Sequence, residues 1–220
     1  TRVVYYGIDP AAFATIDAEA RAAARRALDL PGDRRLALFV GALGDRRKGF
    51  DTLFGAWHGL CRRMDWDVDL VVAGTGAELE AWKARAAREL PAGRMRFLGY
   101  RRDMPAGVAA CDILIHPARY EAYGLGVHEA ICRGLPAIVT ATAGVAERYP
   151  ADLDSLLLRD PESVIELTER VSAWRGDETI GGRVADFGAR LRARTWDHMA
   201  HEIAELVVDG RKGKVPAQGY

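Results

Sequence analysis

Between residues 36 and 140, short apolar runs alternate with longer stretches of helical periodicity, and this rhythm leaves few folds open to the chain. The runs fall at 36–40 (LALFV), 68–74 (VDLVVAG), 95–99 (MRFLG), 112–116 (DILIH) and 136–140 (PAIVT). Helices are expected over 49–64, 77–90 and 124–132, with helical sequence in the other gaps. Such alternation argues for a doubly wound α/β fold, a Rossmann-like parallel sheet with helices on both faces. In a sheet of that kind the ligand binds beyond the carboxyl ends of the strands. The loops after Val40, Gly74, Gly99, His116 and Thr140 are therefore the places to look for chemistry. From about residue 160 the rhythm stops, and extra C-terminal helices are expected over 161–175, 177–194 and 196–208. One domain then covers 1–208, and the polar segment 209–220 reads as a flexible tail.

Composition supports a globular chain: 49% of the 220 residues are hydrophobic, enough for a sizeable core. Its 31 basic residues balance 31 acidic ones, which gives no electrostatic case for nucleic acid as a partner. Cys61, Cys111 and Cys132 are odd in number and widely spaced, which favours buried thiols in a reducing compartment. With no run of 18 apolar residues and no signal peptide pattern, the chain reads as soluble and cytoplasmic. It starts at Thr1 and passes at once into RVVYYGIDP, so it reads as excised from a longer protein.

The stretch HPARYEAYGLGVHEAICRGLPAIVT, residues 116–140, carries the densest chemical signal. A strand ends at His116 and Pro117, and a helix starts near Gly124, where Gly124 and Gly126 leave the first turn sterically open. Unpaired N–H groups and the positive end of the macrodipole make such a start an anion site. Glu121 and Glu129 repel phosphate and require hydroxyls instead: Glu121, in the loop, is placed to reach a hexose, and Glu129, inside the helix, to hold a ribose. Two solvated surface acids are the plainer explanation of the same pair.

After the first strand comes GALGDRRKGF, in which Gly41 and Gly44 permit a tight turn. Arg46, Arg47 and Lys48 then stand before a helix, where cations oppose the macrodipole unless an anion offsets them. A solvated charge cluster is the alternative. This is not a Walker A loop, because Gly49 follows Lys48 with no Ser or Thr for magnesium. GTGAEL, residues 74–79, lacks the third glycine of a dinucleotide fingerprint and reads as a strand-to-helix turn. Gly99 and Tyr100 end a strand in the crevice, where backbone groups can meet a base edge or Tyr100 can simply pack. His116 and His128 are each placed either to touch a ligand or to serve structure. His198 and His201 have no third ligand and read as helix surface, so no metal site is expected. Trp57, Trp66, Trp82, Trp174 and Trp196 read as core or interface residues.

In their order, GALGDRRKGFDTL, LVVAGTG, RFLGY, CDILIHPARYEAYGLGVHEAICRGLPAIVT and AGVAE resemble the donor-binding C-terminal half of a retaining glycosyltransferase of the two-domain GT-B type, family 4. The likeness extends from YYGID at 5–9 to the terminal helices. It implies that Glu121 approaches the donor sugar and Glu129 holds the ribose. It also implies that the backbone of Tyr123, Gly124 and Leu125 meets sugar hydroxyls and phosphate, and that Lys48 binds the diphosphate. Members often carry arginine where this chain has Ala42, and Arg46 or Arg47 is the candidate replacement. Tyr123 stands where phenylalanine is usual.

The resemblance further implies transfer from a UDP- or GDP-sugar to an acceptor hydroxyl, with no cofactor beyond the donor itself. Charge growing on the leaving diphosphate would be met by Lys48, an adjacent arginine and the helix start. The acceptor, whether glycan, lipid or small molecule, would be held by an N-terminal domain absent from this chain, and any peripheral membrane contact would be made through that half. Three alternatives stand beside this. A glycosidase also uses paired carboxylates but leaves the phosphate features unexplained. A non-catalytic nucleotide-sugar-binding module shares every feature except turnover. A dehydrogenase or flavodoxin-like domain would need a complete glycine fingerprint or a flavin loop.

Overall fold

A computed structural model of the chain describes residues 2–102 and 104–212, with side chains described as far as residue 208. Among these, six strands form one sheet in the order β3-β2-β1-β4-β5-β6. They are β1 (Arg35–Val40), β2 (Val68–Ala73), β3 (Met95–Gly99), β4 (Ile113–His116), β5 (Ala137–Thr140) and β6 (Leu157–Leu158). Every pairing is parallel. The chain therefore has the doubly wound α/β fold. The extra strand, β6, is a two-residue edge too short for sequence periodicity to reveal.

The helices are α1 (Ala18–Ala27), α2 (Phe50–Cys61), α3 (Leu79–Glu89), α4 (Met104–Ala110), α5 (Leu125–Cys132), α6 (Val164–Gly176), α7 (Ile180–Arg192) and α8 (Trp196–Lys212). Crossovers run outward from β1 in opposite directions, and with the right-handed sense usual for parallel strands they place helices on both faces of the sheet. β1 and β2 are almost wholly buried because both of their faces are covered. The buried face of α2 carries Phe50, Leu53, Phe54, Trp57 and Leu60 at helical spacing. After the sheet ends, α6 returns to pack on α2, and α7 packs on α5. The last helix, α8, runs to Lys212, four residues into the segment expected as a tail, and residues 213–220 lie outside the described residues. No helix among the described residues is long and apolar enough to cross a membrane.

α1 lies outside the segments expected from periodicity. It starts where the Asp17 carboxylate accepts from the N–H of Ala20 at 2.8 Å, an N-cap before an alanine-rich run. Its Arg25 is buried, donating to the carbonyls of Ala110 at 2.9 Å and Arg34 at 3.0 Å and to Asp112 at 2.8 Å. Asp112 also accepts from the N–H of Leu36 at 2.7 Å, which locks α1, β1 and the start of β4 into one frame.

The three cysteines are free and buried, and desolvation pushes the thiols of Cys61 and Cys132 up to about 12. Trp57, Trp66 and Trp174 are core residues, and Trp82 is half-buried against Phe50 and Phe54. Trp196 is not in the core: it is exposed at the start of α8, edge-on to Tyr6, which leaves the interface half of the expectation. His198 and His201 are exposed on α8, as their spacing suggested.

Candidate functional site

β1 lies between β2 and β4, so the chain leaves the sheet in opposite directions on either side of β1 and β4. Loops diverging at such a point open a crevice beyond the strand ends. A cleft of about 420 Å³ occupies that position, lined by Gly41 after β1, Lys48, His116 at the end of β4, Glu121, and Gly124, Leu125 and Glu129 from α5. Met104 and Val108 of α4 supply an apolar wall.

Lys48 reaches the cleft because of the turn before it. Residues Arg46–Lys48 form a short 3-10 turn, capped by Asp45 accepting from the N–H of Arg47 at 3.0 Å. Gly49 ends it with φ +70°, and a Cβ there would lie 2.0 Å from the carbonyl oxygen of Pro117. Only glycine permits both this backbone and this approach. The β1 and β4 loops are thereby pressed together, and Lys48 Nζ comes to 3.3 Å from Oε2 of Glu121. Arg119 reinforces the junction: its backbone N–H donates to Arg47 O at 2.8 Å, and its guanidinium donates to both oxygens of Asp51 at 2.8 and 3.0 Å.

Oε2 of Glu121 has a second partner, His116 Nε2, at 3.0 Å. Burial alone would raise the Glu121 carboxyl, but His116 and the Lys48 ammonium outweigh it and hold the group below its usual range. Burial dominates for His116 and depresses its pKa, and because its partner is a carboxylate oxygen, which can only accept, Nε2 is assigned as the donor. Glu129 differs. It makes no side-chain hydrogen bond among the described residues, and half-burial raises its pKa against a weaker opposing pull from Arg133.

Gly124 is the N-cap of α5, and its φ of +99° and lack of a side chain leave the first turn, which lines the cleft, without a capping side chain. That is the anion-ready helix start expected from sequence. The side chain of Tyr123 turns away from it: the phenol lies 2.7 Å from Nδ1 of His128, inside the packing behind the helix. His128 is buried, and desolvation lowers its pKa to about 4.

The sequence model of the "Glycosyl transferases group 1" matches residues 20–192, well over half of the chain. The chain belongs to this family. Among its relatives, the lipopolysaccharide glucosyltransferase WaaG of Escherichia coli is 33% identical over 170 residues, 76% of this chain and 45% of WaaG. Among solved structures, HepE of Anabaena in complex with UDP superposes with a TM-score of 0.80 at 20% identity, over 94% of this chain and 57% of HepE. The C-terminal domain of the group 1 protein LpcC of Francisella tularensis matches at a TM-score of 0.70 and 21% identity, over 84% of this chain and 96% of that domain. The chain spans about half the length of the curated relatives it matches.

In this group 1 domain, the residues singled out from sequence fall into two sets. Lys48, Glu121, Glu129, Gly41, Gly124 and Leu125 share the cleft. Arg46 and Arg47 do not line it. The Arg47 guanidinium is 70% exposed and forked onto Asp45, and Arg46 is 79% exposed, 3.7 Å from Asp51 at the edge of a separate depression beside Trp82. Asp45 holds the Arg47 guanidinium and Asp51 lies near that of Arg46, so neither side chain faces the cleft in this arrangement. Gly99 serves the sheet end, its carbonyl accepting from Gly74 N at 2.8 Å, and the Tyr100 side chain is exposed. Met104, Val108 and Arg119 carry no motif and are assembled only by folding. The signal for Arg119 was a lone cation two residues before Glu121 in the loop after β4.

Proposed function

We propose that this chain is the donor-binding half of a retaining glycosyltransferase of family 4, of the two-domain GT-B type. It would transfer a hexose from a UDP- or GDP-sugar to an acceptor hydroxyl held by a second, N-terminal domain. The observation that carries this is the convergence of one ammonium, one uncapped helix start and two carboxylates in a single cleft at the switch point of the sheet. A diphosphate needs the first two, and sugar and ribose hydroxyls need the carboxylates. The family membership, and UDP bound to the similarly folded HepE, support the same reading.

In this mechanism the bond from the anomeric carbon to the phosphate oxygen breaks, and the electron pair leaves with the diphosphate. Lys48 and the α5 N–H groups stabilise that charge as it grows, which lowers the barrier more than it tightens ground-state binding. The acceptor oxygen attacks from the face being vacated, and its proton passes to the departing phosphate oxygen. Glu121 accepts from a hydroxyl of the hexose and orients it, and Glu129 accepts from the ribose. The apolar wall of Met104 and Val108 lies where a base can rest. A cytoplasmic setting is part of this proposal, supported by the three free, buried cysteines, with any peripheral membrane contact made by the other domain.

Calorimetric titration with UDP, GDP, ADP and their sugars tests the reading. Binding of one nucleotide family, weakened by Lys48→Ala, is the expected result, and no binding by any of them overturns it. Turnover by the two-domain protein with retained anomeric configuration, and little turnover by these 220 residues alone, is expected; the absence of turnover in the two-domain protein would favour a binding module instead.

A further inference from the structure

His116 ends β4 and is buried beneath the cleft, with 9% of its surface exposed. Its Nε2 and the Lys48 ammonium converge on one oxygen of Glu121, Oε2, at 3.0 and 3.3 Å. The other oxygen, Oε1, takes no hydrogen bond among the described residues, and all three side chains line the same cleft. A glutamate in a loop has several rotamers available, and holding it in one costs entropy unless partners fix it. Lys48 cannot be a constant partner: an ammonium beside an arriving diphosphate is drawn to the greater charge. Glu121 would then lose one of its two tethers at the moment its orientation matters.

We infer that His116 is the positioning residue that keeps Glu121 in place when the donor arrives, holding Oε2 through Nε2–H so that Oε1 stays directed at a hydroxyl of the donor sugar. This rests on the donor-binding reading above. The charged groups acting on the ring are Glu121 and Lys48. Because the ring sits in the strand end and not in the loop, its position is set by the sheet and does not depend on the ligand. The division of labour follows: Lys48 serves the diphosphate, and His116 serves the sugar through Glu121.

Calorimetry with UDP-glucose, UDP, GDP-mannose and GDP on the unsubstituted chain, His116→Leu and His116→Gln separates the two roles. Leucine keeps the buried volume and removes the donor; glutamine keeps an amide donor near the position of Nε2. His116→Leu is expected to lose about ten- to a hundredfold affinity for the nucleotide sugar, the scale of a hydrogen bond to a charged group. It should change the affinity for the bare nucleotide by less than about twofold, and His116→Gln should recover most of the loss. Equal losses for nucleotide and nucleotide sugar, or no loss for either, would overturn the assignment. Should the leucine variant fail to fold by its thermal melt, His116→Met carries the same comparison. If the unsubstituted chain binds none of the four probes, the donor-binding reading fails first and takes this assignment with it.

Discussion

The ammonium of Lys48 lies 3.3 Å from Oε2 of Glu121, although 73 residues separate them in the chain. The pair joins the loop after β1 to the loop after β4, and it supplies the cleft with its own countercharge before any ligand arrives. A diphosphate has to compete with Glu121 for the ammonium, so part of the electrostatic gain on binding is offset by the pair it displaces.

Lys48→Ala should weaken nucleotide diphosphate binding by about 1.5 to 3 kcal/mol, roughly ten- to a hundredfold in Kd, as expected for a lost charge-assisted hydrogen bond. Arg47→Ala should leave affinity within about twofold, because its guanidinium is exposed and already forked onto Asp45. Titration calorimetry of both variants checks the contrast. Equal losses would return Arg47 to the phosphate site.

Glu129 is half-buried without a hydrogen-bond donor among the described residues, and burial raises its pKa. Glu129→Gln should therefore raise the melting temperature of the free chain slightly, since it removes a poorly solvated charge. The same change should weaken binding of a ribonucleotide more than that of its 2′,3′-dideoxy counterpart, because only the former offers the hydroxyls a carboxylate accepts from. Melting curves and paired titrations give both numbers.

The pH dependence of stability should show the buried His128. Its folded pKa is lowered from 6.5 to about 4, so between those values the unfolded chain binds the proton and the folded chain does not. Stability from this group is complete above pH 6.5, declines as the pH falls toward 4, and the loss amounts to about 3 kcal/mol. Urea unfolding across pH 4 to 7 measures it. The slope should flatten in His128→Leu, whatever that variant's absolute stability, and an unchanged slope would reassign the acid sensitivity to other groups.

Arg25 is buried and bridges α1 to Asp112 and to four backbone carbonyls, those of Pro31, Gly32 and Arg34 before β1 and that of Ala110 at the end of α4. Arg25→Ala strands those acceptors, and should cost about 3 kcal/mol of stability, toward the lower end for breaking a buried ion pair. The site lies at the amino ends of the strands, away from the cleft, so nucleotide affinity at a temperature where the variant is folded should be unchanged. Chemical denaturation and titration of the same sample report the two effects separately.

Much of this molecule could be read from the linear order of its residues, because the properties involved are local. The apolar run 70–73, bounded by Asp69 and Gly74, is short enough to read as a strand covered on both faces, and the helix start at Gly124 follows from glycine's access to positive φ and the lack of a capping side chain. The parallel α/β architecture, the helical C-terminal segment and the anion-ready turn belong to this class. Contacts between distant residues do not. Periodicity gave no sign that Asp45 would take up Arg47, that Arg119 would tie its loop to Asp51, or that His116 and Lys48 would share one oxygen of Glu121. Those choices depend on strand order. Once β4 lies beside β1, the loop at Gly49 meets the carbonyl of Pro117, and charges far apart in the chain come within hydrogen-bond reach, where geometry and burial select which of several cations faces the cleft.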